Sequence, residues 1–325
     1  MRVKTGVLIV VLGLSVLLAP LVAEAQLERQ IPRIGALCPT VCSGPLYETF
    51  LRGLQELGYV DGQNIVMEWR AAEGRYGRLA ELASELVQRG VDLIVAPSQP
   101  AIRAAKQATT TIPIVMVDVG DPVRAGFVSS LARPGGNITG VTVLAIELTQ
   151  KLLELLTAAV PGMTRVAVLG TPAALQYHGS ALENAVRSLR LELQPLPVQV
   201  PAEFGRAFDT ARSEGAGAVL VLPLHTFAAH QRQLAELALE SRLPAIFWQK
   251  SCAELGGLIA YGASLSYMGQ RVAALTGKIL RGARPDDLPV ERAMQFELVI
   301  NLQTAQALGL TIPPLVLFQA DEVIR

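Results

Sequence analysis

The sequence has little of several features that define large classes of proteins. Of its 325 residues only 5% are aromatic and 17% are charged, and 28 basic residues balance 28 acidic ones. A neutral chain has no basic field to hold a polyanion, so we do not expect it to bind nucleic acid. Three cysteines are too few for a disulfide-dense scaffold, and the hydrophobic content of 51% excludes intrinsic disorder. These limits leave a globular chain that is long enough for two sizeable cores.

Signatures of common catalytic and cofactor sites are also missing. The sequence has no Gly-x-Ser-x-Gly motif, no His-Glu-x-x-His motif, no phosphate loop ending in Gly-Lys-Ser/Thr and no cysteine–histidine cluster with metal-ligand spacing. Gly215 and Gly217 resemble the start of a dinucleotide-binding fingerprint, but they precede a strand and lack the third glycine. We therefore expect no enzymatic activity, no cofactor and no metal. An enzyme using His225 or Cys252 as the reactive group is the least favoured interpretation.

The first 25 residues have the three-part pattern of a secretory signal peptide. Arg2 and Lys4 precede an uncharged apolar run at 7–19, and Ala23 and Ala25 are the small residues before the cleavage point. The run is shorter than the roughly 20 residues of a membrane-spanning helix, although an uncleaved anchor is a second interpretation. We expect cleavage near Ala25 and a periplasmic or otherwise exported mature chain.

The three cysteines leave several interpretations open. Cys38 and Cys42 lie close together in sequence, and Cys252 is far from both. All three could be small apolar fillers of loops. Cys38 and Cys42 could instead form a disulfide, if the loop curls enough to bring their Cα atoms to about 4.4–6.8 Å. A metal site is disfavoured because no histidine lies near them in the sequence.

Short β-branched runs alternate with amphipathic segments from residue 33 onward. The first set of predicted strands lies at 33–37, 65–69, 93–96 and 114–117. The helices between them are predicted at 45–57, 78–89 and 100–108. Strands and helices in this alternating order favour a parallel sheet with right-handed crossovers.

A second copy of this pattern begins at residue 165. Arg165-Val-Ala-Val-Leu169 echoes Arg33-Ile-Gly-Ala-Leu37, and Gly217-Ala-Val-Leu-Val-Leu-Pro223 echoes Gly90-Val-Asp-Leu-Ile-Val-Ala-Pro97. The expected fold class is therefore α/β, with two doubly wound parallel-sheet lobes of the Rossmann-like kind.

Elements left over after the second lobe predict that the chain crosses between the lobes more than once and forms a hinge. These are a helix at 266–280, an extended connector at 284–289 and a strand at 296–301. We assign residues 33–140 and about 263–290 to the N-terminal lobe. Residues 141–262 and about 291–325 are assigned to the C-terminal lobe.

Loops at the carboxyl ends of the strands are the expected ligand site, because open α/β sheets bind ligands there. Several of these loops lead into helices, whose free backbone N–H groups favour an anion such as a carboxylate. Asp121 could hold an ammonium group and Trp248 could stack on a ligand, but helix capping and core packing are competing explanations. The candidate ligand-binding residues are Thr40, Ser43, Ser98, Gln99, Asp121, Thr171, Pro223, His225, Trp248, Gln249, Tyr261 and Gly262.

Several longer motifs resemble those of one protein family. They include Phe50-Leu-Arg-Gly-Leu-Gln-Glu-Leu-Gly-Tyr-Val-Asp-Gly-Gln-Asn-Ile65, Leu131-Ala-Arg-Pro-Gly-Gly-Asn-Ile-Thr-Gly140 and Ala307-Leu-Gly-Leu-Thr-Ile-Pro-Pro314. The chain resembles the ABC transporter substrate-binding proteins of the tryptophan-binding-protein-like type over essentially all of its mature length. The resemblance implies a type I periplasmic binding protein architecture, with three crossovers between two lobes that close on a small molecule. It also implies an ABC permease in the inner membrane and a cytoplasmic ATPase as partners.

Two loops depart from the pattern expected for this family. One contains Cys38 and Cys42, and the other is Phe247-Trp-Gln-Lys-Ser-Cys252. Since both are candidate ligand loops, the resemblance does not carry specificity for aromatic amino acids to this chain. We expect an exported solute-binding component of an ABC importer that binds a small organic solute, such as an amino acid or a carboxylate, by hinge closure. The alternative is a ligand-sensing protein that acts on a membrane receptor without transport.

Overall fold

The computed structural model describes residues 31–325, which form two α/β lobes, each built around one sheet. The predicted signal peptide at residues 1–25 lies outside the described residues. Between residues 31 and 325, no helix has the length and apolarity needed to cross a membrane.

The elements alternate along the chain as the sequence pattern predicts. The strands are β1 (Arg33–Cys38), β2 (Val66–Ala71), β3 (Leu93–Pro97), β4 (Ile114–Val119), β5 (Ile138–Thr142), β6 (Arg165–Gly170), β7 (Glu192–Pro197), β8 (Ala218–Val221), β9 (Ala245–Phe247), β10 (Ile259–Ala263), β11 (Glu291–Arg292), β12 (Phe296–Asn301) and β13 (Glu322–Ile324). The helices are α1 (Pro45–Glu56), α2 (Leu79–Gln88), α3 (Gln99–Ala108), α4 (Ala145–Ala159), α5 (Pro172–Ser188), α6 (Phe204–Ser213), α7 (His225–Ala228), α8 (Gln231–Glu240), α9 (Lys250–Glu254), α10 (Leu265–Leu280), α11 (Leu302–Ala307) and α12 (Pro314–Phe318). Short 3₁₀ turns lie at Tyr76–Arg78, Pro201–Glu203 and Pro285–Asp287.

The first five strands of the two sheets share one topology, which confirms the fold class and the internal repeat. The first sheet has the order β2-β1-β3-β4-β5-β11, and the second has the order β7-β6-β8-β9-β10-β12-β13. Neighbouring strands are parallel except β10 and β12, which pair antiparallel. The echoed segments of the sequence form β1 and β3 in one lobe and β6 and β8 in the other, at matching places in the two sheets.

Continuous apolar strands form the centre of each lobe. Every residue of β3 and of β8 is buried, as expected for parallel strands covered by helices on both faces. On the first sheet, α1 packs closely against α10, because Gly53 allows the two helices to approach. A Cβ atom at Gly53 would lie 2.7 Å from the Cβ of Ala273. This packing places α10 in the first lobe, although the strand that precedes it, β10, belongs to the second sheet.

The chain passes between the two sheets three times. It crosses between β5 and α4, between β10 and α10, and between β11 and β12. Since β5 ends at Thr142 and β11 spans Glu291–Arg292, the first sheet extends slightly past residues 140 and 290. The predicted lobe limits themselves stay a prediction.

The loop after β1 contains a disulfide, which decides between the alternatives that the sequence left open. Cys38 and Cys42 are bonded, with their Cα atoms 5.5 Å apart. Cys38 is fully buried at the end of β1, so the bond ties the loop to the core of the first lobe. The third cysteine, Cys252, is free and buried in the second lobe.

Candidate functional site

A cavity of about 660 Å³ lies between the lobes, at the carboxyl ends of the parallel strands. Its first wall comes from the start of α3 and from the loop that follows β4. The opposite wall comes from the start of α5 and the loops that follow β8 and β9. Its floor is formed by the crossovers at Val143–Ala145 and Ala263–Leu265. The volume falls in the range of roughly 300–1,000 Å³ that is typical of small-molecule sites.

Six of the twelve candidate residues line this cavity. They come from five different loops, and the fold brings them together although they are spread over about half of the chain. They are Gln99, Asp121, Thr171, Pro223, Trp248 and Gln249. Trp248 is only 5% exposed, so its ring is part of the core of the second lobe as well as of the cavity wall. The Thr171 hydroxyl caps α5 by accepting a hydrogen bond from the Ala174 backbone N–H at 3.2 Å.

Three other candidates lie in the first lobe and do not line the cavity. Thr40 and Ser43 lie in or next to the disulfide loop, where the Thr40 carbonyl accepts a hydrogen bond from Glu73 N. Ser98 is almost completely enclosed and has a backbone φ of 83°. Its hydroxyl does not cap α3 and has no hydrogen-bond partner among residues 31–325.

The remaining three candidates lie in the second lobe. His225 is the first residue of α7, between Leu224 and Thr226, which both line the cavity. Tyr261 stacks on Phe296 with ring centroids 5.5 Å apart, and its partly buried ring packs against the core. Gly262 lies directly under the Trp248 backbone, where no side chain would fit.

The twelve candidates leave out six charged or polar residues that line the cavity. Arg103, Asp118 and Arg124 come from the first lobe, and Tyr177, His178 and Thr226 come from the second. The signal that could have found Tyr177 and His178 is the helix start at Pro172. A helix from this residue places Tyr177 and His178 one turn after Ala174, on the face that meets the cleft.

Arg124 and Tyr177 contact each other across the cleft. The guanidinium carbon of Arg124 lies 4.5 Å from the ring centroid of Tyr177, within the range of a cation–π interaction. Burial raises the pKa of Tyr177, and the nearby Asp121 carboxylate raises it further. Asp121 also accepts a hydrogen bond from the Arg124 backbone N–H at 2.9 Å, which orders this loop. The lobes therefore touch through the same residues that flank the cavity.

The cavity offers charges of both signs. Arg103 and Arg124 supply positive charge, and Asp118 and Asp121 supply negative charge. Neither arginine forms an ion pair with a carboxylate of the described chain, residues 31–325. Both guanidinium groups are therefore available to an anionic group of a ligand. The N-termini of α3 and α5 also open toward the cavity and favour the same kind of group.

His178 is the most buried titratable side chain in the cavity wall. It is 3% exposed, and its Nδ1 lies 3.2 Å from the Thr149 hydroxyl. Burial lowers the pKa of His178 to about 4, because the charged ring would lose its hydration. The imidazole is thus neutral at the pH of most bacterial environments.

The cysteine considered as a reactive group has the wrong environment for a nucleophile. Cys252 is fully buried, and burial raises the pKa of its thiol to about 12. A thiol with this pKa stays protonated near neutral pH and is a poor nucleophile. In the described range, residues 31–325, no group of three or more His, Cys, Asp or Glu side chains could hold a metal ion.

Comparisons with known proteins agree with this architecture. The family model of the ABC transporter substrate binding proteins matches residues 45–324. A tyrosine-binding protein of Clostridioides difficile is 29% identical over 265 residues, which cover 80% of this chain and 75% of that protein.

Solved structures extend the comparison. An ABC domain from Streptococcus pneumonia in complex with L-Trp has a TM-score of 0.80 and 27% identity, covering 90% of this chain and 99% of that one. A conserved domain protein from Vibrio cholerae has a TM-score of 0.82 and 26% identity, covering 90% of this chain and all of its own.

Proposed function

Since this chain belongs to the family of ABC transporter substrate-binding proteins, we propose that it is the exported solute-binding component of an importer and that its ligand is an amino acid. The observation that carries this proposal is the interlobe cavity of about 660 Å³, which presents charges of both signs above an apolar floor. An ABC permease and its cytoplasmic ATPase are the partners that this role requires.

An amino acid fits the distribution of charge in the cavity. Its ammonium group would face Asp121, and its carboxylate would face Arg124 and the N-terminus of α5. Its side chain would then lie on the apolar part of the wall, formed by Leu148, Trp248 and Met268. The tyrosine-binding relative and the L-Trp complex support a ligand with a large, mostly apolar side chain.

Ligand binding would act on the hinge because the cavity has residues from both lobes. Contacts that are made to both walls exist only in the closed state, so a ligand shifts the equilibrium toward that state by its difference in affinity. The contact between Arg124 and Tyr177 adds to the closed state without filling the cavity. The closed surface is then the one that the permease would recognise.

Saturating ligand is expected to compact the protein and to raise its melting temperature. At a ligand concentration of 100 times Kd, binding to the folded state adds about 2.7 kcal/mol to the free energy of unfolding. The measurements are small-angle scattering and thermal unfolding of the exported protein, with L-tyrosine, L-tryptophan, L-phenylalanine and simple carboxylates as the panel. A ligand that raises the melting temperature but leaves the radius of gyration unchanged would contradict hinge closure.

Replacing Asp121 by asparagine is expected to weaken amino acid binding by about tenfold to a hundredfold, because a charge-assisted hydrogen bond to the ammonium group is lost. The measurement is titration calorimetry with the best amino acid of the panel and with its analogue that lacks the amino group. Only the amino acid should lose affinity. Asp209→Asn is the matched control, since Asp209 lies on the surface of α6 and pairs with Arg212. Equal losses for both ligands would show that Asp121 does not bind the ammonium group.

Import and ligand sensing make different demands on the bound form. An importer component must stimulate ATP hydrolysis by its permease complex when loaded with ligand. The test is a reconstituted permease and ATPase in proteoliposomes, with uptake of labelled amino acid as the readout. Binding without stimulation or uptake would favour the sensing alternative.

A further inference from the structure

His178 carries its proton on a defined ring nitrogen. The Thr149 hydroxyl lies 2.8 Å from the Ala145 carbonyl oxygen and 3.2 Å from His178 Nδ1. A hydroxyl has one hydrogen, and a carbonyl can only accept, so Thr149 donates to Ala145. Nδ1 must therefore be the donor to Thr149. In a neutral imidazole the other nitrogen, Nε2, then has a free lone pair.

That lone pair has no hydrogen-bond partner among the described residues, 31–325. Within residues 31–325, the hydrogen bond to Thr149 is the one that His178 makes. The side-chain atoms in this range that are fully enclosed and have no hydrogen-bond partner are Arg33 Nε, Ser98 Oγ, Gln194 Oε1 and Thr276 Oγ1. His178 Nε2 also has no partner but is not one of these atoms, so it is not fully enclosed. Since His178 lines the cavity and Nε2 is not fully enclosed, we infer that Nε2 is reached from the cavity.

The surroundings of His178 make an unused acceptor unfavourable. Ala145 and Leu148 on α4 and Ala174 on α5 also line the cavity, and all three are buried apolar residues. The His178 and Tyr177 rings are also nearly perpendicular to each other, with their centroids 4.8 Å apart. A polar atom in such a setting is stabilised only when a donor reaches it. A ligand whose apolar body fills this region would remove water from Nε2 and would have to supply the donor itself.

We propose that His178 is a specificity-determining residue, whose Nε2 accepts a hydrogen bond from an O–H or N–H group on the side chain of the ligand. The preferred ligand is then an amino acid whose apolar side chain carries one donor, as a phenol or an indole does. Thr149 is a positioning residue, because it holds the proton on Nδ1. This inference rests on the proposed function and narrows the class of ligand within it. The low pKa of His178 supports it, because a protonated ring has no acceptor.

The test compares ligands that differ only in the donor. L-tyrosine is compared with L-phenylalanine, and L-tryptophan with 1-methyl-L-tryptophan, by titration calorimetry. The protein is expected to prefer the donor-bearing member of at least one pair by about tenfold. His178→Leu should reduce this ratio to about one, whereas His178→Gln should keep part of it through its amide oxygen. Thermal unfolding of each variant checks that it is folded.

Each outcome has a separate meaning. If the protein binds no member of either pair, the proposed amino acid ligand is contradicted, and the role of His178 with it. If it binds both members of each pair equally, or if His178→Leu keeps the ratio, the role of His178 is overturned while the proposed function stands.

A second measurement is made on the unchanged protein, and a variant serves only to assign one signal. The protein has three histidines, so nitrogen NMR of ¹⁵N-histidine-labelled protein gives few signals, and His178→Gln identifies the one from His178. In the ligand-free protein, Nε2 is expected to be the unprotonated nitrogen. Its resonance should move on addition of the preferred donor-bearing ligand and should stay in place with the analogue that lacks the donor. A protonated Nε2 in the neutral ring would overturn the inference.

Discussion

Replacing Gly262 by alanine is expected to destabilise the protein by about 4 kcal/mol. A Cβ atom at this position would lie 1.7 Å from the Trp248 carbonyl oxygen and 2.7 Å from the carbonyl carbon. Both are backbone atoms, so no side-chain rotation can relieve the clash, and the segment between β9 and α9 would have to move. Trp248 is 5% exposed and packs in the core of the second lobe, so this movement would also disturb the core.

The measurement is unfolding by urea, followed by circular dichroism. Gly205→Ala is the matched control, because Gly205 lies in α6, and a Cβ atom there would have no neighbour within 4 Å. Alanine has the higher helix propensity, so the control should unfold at an equal or higher urea concentration than the unchanged protein. If Gly262→Ala unfolds together with Gly205→Ala, the close approach of the two backbone segments is wrong.

The same variant bears on the cavity. Trp248 forms part of the ligand wall, so a shift of its backbone should weaken ligand binding even though Gly262 does not line the cavity. Gly262 was a candidate ligand residue in the sequence, and its packing against Trp248 is sufficient to explain a glycine there.

The free energy of unfolding is expected to fall by about 3 kcal/mol as the pH decreases from about 6.5 to about 4, through the effect of His178. Burial lowers its pKa from 6.5 to about 4 in the folded state. Between these two values the unfolded chain binds a proton that the folded chain does not bind. Stability therefore rises with pH across this window. The contribution of His178 to stability is fully present above its pKa in the unfolded chain, 6.5. It is lost as the pH falls through its pKa in the folded protein, about 4.

The measurement is urea unfolding at a series of pH values between 4 and 7.5. His178→Gln should flatten the curve in the upper part of this range, because glutamine does not titrate. His230→Gln is the matched control, since it makes the same substitution at a partly exposed position next to α8. Carboxylates contribute below pH 5, so the difference between the two variants isolates the effect of His178. An unchanged slope in His178→Gln would contradict the buried, neutral imidazole.

Most of the strands and helices could be predicted from local pattern, and the exceptions have physical causes. β7 was missed because Pro195 and Pro197 interrupt its sequence. It is an edge strand that pairs only with β6, and proline is tolerated at such an edge. The connector predicted to be extended at 284–289 contains a 3₁₀ turn at Pro285–Asp287, where proline begins a turn and the side chain of Asp286 pairs with Arg284.

The candidate site was predictable at the level of loops more than of residues. Strand ends located the cavity, since six candidates from five loops line it. The pattern did not show how each side chain is directed, so Tyr261 was included although its ring stacks on Phe296 and does not line the cavity. It also missed Tyr177 and His178, because no loop signal marks residues that reach the cleft from the second turn of a helix.

By itself, the sequence determined the two-lobe α/β architecture, its internal repeat and the family. These follow from hydrophobic periodicity, turn residues and long motifs, which are properties of contiguous segments. Only the tertiary structure decided which atoms meet. Examples are the contact of Arg124 with Tyr177, the packing of Gly262 against the Trp248 backbone and the hydrogen bond of His178 with Thr149. Such contacts join residues of separate segments. They depend on how the three crossovers set the lobes and on how each helix is rotated about its axis, and local propensity carries no information about either.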